Sequence, residues 1–236
     1  MMKKVCVCLF AICLLFTASQ VLAGPITIDA DMSDWTGSGI VDLGTQAAPA
    51  EGESYTLKAT ADASNVYFGM DRSTTERYLD DIGWDTDSFF MAFDVDGVAG
   101  SGAISDGYGR VNFGGTYLPD FFIYFAGGPH WYETSSWNGS GMDWLGWTQD
   151  GAVYGNPGWG DDDEFALNPA AIGGEDDELR VWAWMTREGN GWVEAAWGFE
   201  AGDAPTAGDG LAVTVPEPAT MALLGLGSLA VLRRKK

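Results

Sequence analysis

The sequence predicts an all-β fold, a single antiparallel β-sandwich set between an N-terminal signal peptide and a C-terminal membrane-sorting helix. Three observations carry the prediction. Glycine supplies 33 of 236 residues and apolar residues at helical spacing are scarce, so turn formers interrupt the chain every few residues. Short runs rich in Val, Tyr, Phe, Trp and Thr recur between clusters of Gly, Asp, Asn and Pro, as strands joined by turns do. The three cysteines, Cys6, Cys8 and Cys13, all lie near the N-terminus. The rest of the chain therefore has no disulfide framework and needs a sizeable core. That pattern favours a sandwich over a small crosslinked scaffold, with a closed barrel as the other arrangement it would satisfy.

Taken in order, Lys3 and Lys4 precede an apolar stretch from Val5 to Phe16, and Val21-Leu22-Ala23 offers a small-residue cleavage site. Residues 1–23 thus read as a signal peptide for signal peptidase, and the mature chain starts at Gly24. Residues 24–215 form one β-sandwich domain of 192 residues. Within it we expect strands at 26–29, 55–61, 65–71, 88–94, 109–113, 121–126, 179–186 and 192–199. Asp62-Ala63-Ser64-Asn65 and Glu188-Gly189-Asn190-Gly191 are turn-forming clusters between two pairs of these runs, which predicts two hairpins. In the second hairpin Leu179, Val181, Ala183 and Met185 alternate with Arg180, Trp182, Trp184 and Thr186, so a period of two puts the sets on opposite faces.

Ile28-Asp29-Ala30-Asp31-Met32-Ser33-Asp34-Trp35 has its own physical logic. Asp29 and Asp34 can hold a turn through backbone hydrogen bonds while Trp35 covers the core. The segment resembles the opening of family nine carbohydrate-binding modules and related DOMON-like sandwiches, with Ala30 in place of the usual Gly. Asn65-Val66-Tyr67-Phe68-Gly69-Met70-Asp71 and Asp87-Ser88-Phe89-Phe90-Met91-Ala92-Phe93-Asp94 resemble two early strands of the same superfamily. The resemblance covers about the first third of the domain and implies a sandwich that binds sugars, in which structural calcium is common.

Charge narrows the partners. The terminal segments hold six of the twelve Lys and Arg but one of the 34 Asp and Glu. The remainder carries 33 acids against six bases, a net charge near −27. Such a field disfavours nucleic acid and anionic lipid surfaces and suits neutral glycans, exopolysaccharide or cations. A saccharide needs an aromatic face for its C–H side and directional polar groups for its hydroxyls. Trp131, Trp137, Asn138, Trp144 and Trp147, all in one Gly-rich stretch, supply both and are the candidate sugar-binding residues; Trp159 and the strand pair Trp182 and Trp184 are further platforms. An individual tryptophan is more often buried than ligand-binding, so each has a core alternative.

Clustered carboxylates select hard cations. Asp161, Asp163 and Glu164, in the run from Asp161 to Glu164, are the candidate ligands for a structural calcium ion, and Asp80, Asp81, Asp85 and Asp87 make a second acidic group. A solvated acidic loop is the competing reading of both. Asp94-Val95-Asp96-Gly97 begins like a calcium-binding EF-hand loop but fails that pattern, since Val98 falls at its fifth position and Ser105 at its twelfth, where a carboxylate is expected. Catalysis is weakly signalled. His130 is the lone histidine, no Ser-His-Asp or zinc motif can be assembled, and we expect no catalytic residues. Two carboxylates suffice for a glycosidase, which keeps a glycoside hydrolase as a distant alternative to noncatalytic glycan binding. A structural matrix protein without a sugar ligand is the nearer alternative.

Residues 216–236 comprise Pro216-Glu217-Pro218, a fourteen-residue apolar run from Ala219 to Leu232, and Arg233-Arg234-Lys235-Lys236. The run falls short of the roughly 20 residues that span a bilayer comfortably, and the cations would stay on the cytoplasmic side. This tail resembles a PEP-CTERM sorting signal, with Pro216, Glu217, Pro218, Arg233 and Arg234 as its marks. The resemblance implies transient membrane contact, removal by an exosortase, and delivery to the cell surface or extracellular matrix of a bacterium.

Overall fold

The computed structural model describes residues 26–29, 31–37, 39–48, 53–62, 64–72, 88–125, 132–146, 153–156, 163–172, 178–187, 192–199 and 208–214. Its first strands are β1 (Val41–Ala48), β2 (Glu53–Ala61), β3 (Val66–Arg72), β4 (Ser88–Asp94), β5 (Phe121–Phe125) and β6 (Tyr132–Trp137). They are followed by β7 (Met142–Gly146), β8 (Val153–Asn156), β9 (Asp163–Leu167), β10 (Glu178–Arg187), β11 (Trp192–Trp197) and β12 (Leu211–Thr214). The described residues contain no α-helix, only short 3-10 turns at Met32–Asp34 and Pro169–Ile172. One sheet runs β1-β2-β3-β9-β8 and the other β11-β10-β4-β5-β6-β7, with β12 also on β10; every pairing is antiparallel.

Alternation sets the layers. Tyr55, Leu57 and Ala59 of β2 and Val66, Phe68 and Met70 of β3 point to a shared core with Phe89, Met91 and Phe93 of β4 and Leu179, Val181, Ala183 and Met185 of β10. Phe68 meets Phe93 across the sandwich with ring centroids 5.5 Å apart. Each such fully buried side chain contributes about 1.5–3 kcal/mol, which is how the domain holds together without crosslinks. Trp197 adds a polar stitch between the sheets, its Nε1 donating to the Gly44 carbonyl at 2.8 Å.

Both outer faces are covered in part as well. On the first sheet, Met32 and Trp35 pack on Tyr67 and Ala166. The segment is tied down by Glu164, which is buried and accepts from Trp35 Nε1 at 2.5 Å, Asp29 N at 2.9 Å and Asp31 N at 3.2 Å. Gly69 lies beneath Met32, where a Cβ would stand 2.5 Å from the Met32 sulfur. On the second sheet, residues 95–120 fold back so that Ala103, Val111, Phe113 and Leu118 cover Phe90, Ala92, Phe122, Tyr124, Trp182 and Trp184. Asp106 organises this cover, accepting from Arg110 N at 2.6 Å and Val111 N at 3.1 Å.

The expected strands at 55–61, 65–71, 88–94, 121–126, 179–186 and 192–199 correspond to β2, β3, β4, β5, β10 and β11. The first predicted hairpin is β2–β3, with the Asp62 carboxylate accepting from Ser64 N and Asn65 N at 2.7 and 2.8 Å. The strands of the second pair as β10–β11, while its turn, Glu188 to Gly191, lies outside the described residues. Two expectations are corrected. Residues 109–113 form only an isolated bridge, Asn112 with Ser105, because their backbone is engaged by Asp106 within the cover. Residues 26–29 are not a strand but part of the segment lying over the first sheet, where Asp34 accepts from Thr27 N at 2.7 Å and Asp29 from Asp31 N at 3.1 Å. The signal peptide and the sorting helix both lie outside the described residues.

Candidate functional site

Asp94 closes β4 on its outer face, and the chain turns there through Asp94-Val95-Asp96-Gly97, with Gly97 at φ 62°. Each aspartate shapes this turn. Asp94 Oδ1 accepts from Gly97 N at 2.9 Å, and Asp96 accepts from Val98 N at 2.8 Å and from the Ser101 hydroxyl at 2.7 Å. Antiparallel pairing of β4 with β5 then returns Asp120 to the same place. Its backbone N–H donates to the Phe93 carbonyl at 2.8 Å, and its carboxylate accepts from Val95 N at 3.1 Å and Asp96 N at 3.3 Å.

Asp94, Asp96 and Asp120 thereby bring one carboxylate oxygen each within 4.8 Å of the others. Burial pushes Asp94 up to about 6, with the charge of Asp96 adding and the Gly97 N–H opposing. Burial likewise pushes Asp120 up to about 7, reinforced by the charges of Asp96 and Asp94 and opposed by the Val95 N–H. Asp94 is 1 % exposed, and no N–H or neutral hydroxyl among the described residues donates to its Oδ2. Three oxygen donors so placed could hold a hard metal ion.

Asp96 and Asp120 also line a cleft of about 580 Å³, together with Ser101, Ser136, Trp137 and Ile172. Trp137 arrives from the last position of β6, half-buried, and packs against the aromatic cluster under the 95–120 cover. It pairs with Met142, and Ser135 pairs with Trp144, so the Trp137 and Trp144 rings share the outer face of the β6–β7 hairpin. Trp144 is 57 % exposed and Leu145, at a bulge between the paired residues, 56 %. The cleft therefore joins an aromatic ring to hydroxyls and carboxylates beside a second, exposed ring.

Of the predicted sugar-binding residues, the structure brings Trp137 to this cleft and Trp144 to the same strand pair. Asn138 builds the β6–β7 turn instead, its Oδ1 accepting from Ser140 N and Gly141 N at 2.9 Å and its Nδ2 donating to Asp143 at 2.8 Å. Trp131, Trp147 and Trp159 lie outside the described residues. The Gly-rich stretch that holds these residues is an antiparallel hairpin over its described part. Trp182 and Trp184, offered as further platforms, are buried, as are Trp35 and Trp197.

Of the predicted calcium ligands, Asp161 lies outside the described residues, as do Asp80, Asp81, Asp85 and Asp87, and only the backbone of Asp163 is described, within β9. Glu164 points away from solvent and accepts from three N–H groups of the N-terminal segment. Among the described residues, the acidic group that the fold assembles is Asp94, Asp96 and Asp120. Its first two members were visible in the sequence as Asp-Val-Asp-Gly after a strand; Asp120 carried no signal beyond standing directly before an apolar run.

Residues 214–236 match the PEP-CTERM protein-sorting motif. That match includes Pro216, Glu217, Pro218, Arg233 and Arg234, which lie outside the described residues. The motif marks an exported protein that is processed by an exosortase and sorted in association with the membrane. Among curated proteins, none matches the chain.

Proposed function

We propose that this exosortase-processed protein works at the cell surface or in the extracellular matrix, where its sandwich binds a neutral glycan without catalysing a reaction. The observation that carries the reading is the cleft at the end of β6, where Trp137 stands beside Ser136, Ser101, Asp96 and Asp120. An indole face suits the C–H side of a pyranose ring, and the hydroxyls and carboxylates suit its hydroxyl groups. Trp144, on the same face of the hairpin, gives a second platform along an extended chain. The resemblance of Ile28 to Trp35 and of Asn65 to Asp71 to family nine carbohydrate-binding modules supports the same ligand class, and the acidity of the chain accounts for preferring neutral sugars.

A second reading, a structural matrix protein without a sugar ligand, is favoured by the burial of Trp35, Trp182, Trp184 and Trp197. A glycan array probed with the purified protein separates the two. The first reading expects selective, salt-insensitive retention of neutral glycans, since no counterions are released. Absence of binding to every glycan, the host's own polysaccharide included, would leave the structural role.

A further inference from the structure

We infer that Asp94, Asp96 and Asp120 form a calcium site that fastens the 95–120 cover to the ends of β4 and β5. Acidic residues gather on many surfaces without an ion; the burial of Asp94 sets this group apart. The Asp94 carboxylate is 1 % exposed, its Oδ1 is taken by Gly97 N, and no N–H or neutral hydroxyl among the described residues donates to its Oδ2. An orphaned buried carboxylate oxygen costs free energy unless a cation or a water completes it. Here the neighbouring groups are two more carboxylates, whose oxygens lie within 4.8 Å, and these repel one another unless a positive charge sits among them.

The protein supplies only part of that charge. Arg180 pairs with Asp94 across β10 and β4 and is felt by it electrostatically. Its guanidinium nevertheless lies 3.9 Å from the centre of the Tyr117 ring, and Nη1 donates to the Asp209 carbonyl at 3.2 Å. Among the described residues one guanidinium stands against these three carboxylates, which when fully ionised leaves a deficit of two charges, and one divalent ion removes it. All donors are oxygens, the choice of calcium or magnesium over softer metals. Calcium is the better match, because Asp96 is exposed and the adjoining cleft is open to water, leaving room for six to eight flexible oxygen ligands, roughly, rather than a strict octahedron.

The inference does not depend on glycan binding, so the test uses metal alone. Purified protein stripped with chelator is titrated calorimetrically with calcium chloride, then with magnesium chloride, and melted in calcium and in chelator at matched ionic strength. We expect saturable calcium uptake, weaker magnesium uptake, and a melting temperature about 5–10 °C higher when calcium is near 100 times its Kd. Asp96→Asn, at an exposed position, keeps an oxygen for Val98 N, removes one of the three mutually repelling charges, and should lower calcium affinity at least about tenfold while leaving the chelator melt no lower. Asp94→Asn should do the same from the buried side; if it does not fold, Asp96→Asn carries the test. An unmoved melting curve with no saturable heat overturns the site, as does calcium binding that neither substitution weakens, since the ion would then lie on other carboxylates.

Discussion

Replacing Glu164 by alanine should release the N-terminal segment from the first sheet, and its cost can be worked from three hydrogen bonds. Trp35 Nε1 donates at 2.5 Å from a buried position, while Asp29 N and Asp31 N donate at 2.9 and 3.2 Å from part-buried ones. A hydrogen bond to a charged group contributes about 1.5–3 kcal/mol, the upper part applying where water cannot replace the acceptor. Counting the Trp35 bond in full, discounting the two backbone bonds that water can reach, and crediting relief from burying a carboxylate gives a net loss of about 3 kcal/mol. For a domain of this size that lowers the melting temperature by roughly 6–12 °C. Trp35→Phe removes the donor and keeps most of the ring, so it should cost about 2 kcal/mol. Because both substitutions break the same bond, the double variant should fall short of their sum by about 1 kcal/mol or more. Denaturant unfolding of the four proteins measures the cycle, and amide exchange should accelerate at Asp29 and Asp31 in Glu164→Ala. A loss under about 0.5 kcal/mol, or strict additivity, would refute the claim that this carboxylate anchors the segment.

Two neighbouring tryptophans should respond differently to the same change. Trp182 Nε1 donates to the Gly208 carbonyl at 2.9 Å, whereas Trp184 Nε1 is buried without a partner among the described residues and its ring stacks on Phe90 at 5.2 Å; Trp182→Phe should therefore cost about 1 kcal/mol more than Trp184→Phe in denaturant unfolding. Equal costs would contradict the hydrogen-bond assignment. The chelator-treated protein should also gain stability as pH falls from 8 to 5. Asp94 and Asp120 titrate near 6 and 7 when folded against about 3.9 unfolded, so the folded state holds protons the unfolded state releases, and that advantage disappears as pH rises through 6 to 7. Melting curves across this range, flattened by Asp120→Asn, check the sign; a steady rise in stability toward pH 8 would reverse it.

The sequence exposed those strands whose pattern is local. β2, β3, β4, β5, β10 and β11 carry apolar or aromatic residues in alternation or in unbroken runs, and each was placed within a residue or two. The others conceal themselves for identifiable reasons. β1 holds Gly44 at φ 121° beside a register shift, so its alternation breaks. β6, Tyr-Glu-Thr-Ser-Ser-Trp, is mostly polar although Thr134 is buried. In β9 the carboxylate of Glu164 occupies a buried position, which made the start of a strand look like a solvated acidic loop. Residues 109–113 had strand composition without a strand partner, and pairing is a nonlocal property. The candidate site divides the same way: Asp94 and Asp96 are neighbours in sequence, but Asp120 binds the backbone of Asp96 from 24 residues away and meets it only through β4–β5 pairing. Trp182 and Trp184 were indistinguishable from surface rings until the 95–120 cover was placed over them.

The central claim, glycan recognition by the rings of the β6–β7 hairpin, is tested most directly by the affinity of the purified protein for the host's exopolysaccharide, compared with Trp137→Ala and Trp144→Ala. Trp144 is exposed, so its removal should leave the melting temperature within about 2 °C while weakening binding about tenfold, the equivalent of about 1.4 kcal/mol. Trp137→Ala should weaken binding at least as much, with some loss of stability from its packing against the aromatic cluster. Undiminished binding by folded forms of both variants would contradict the account.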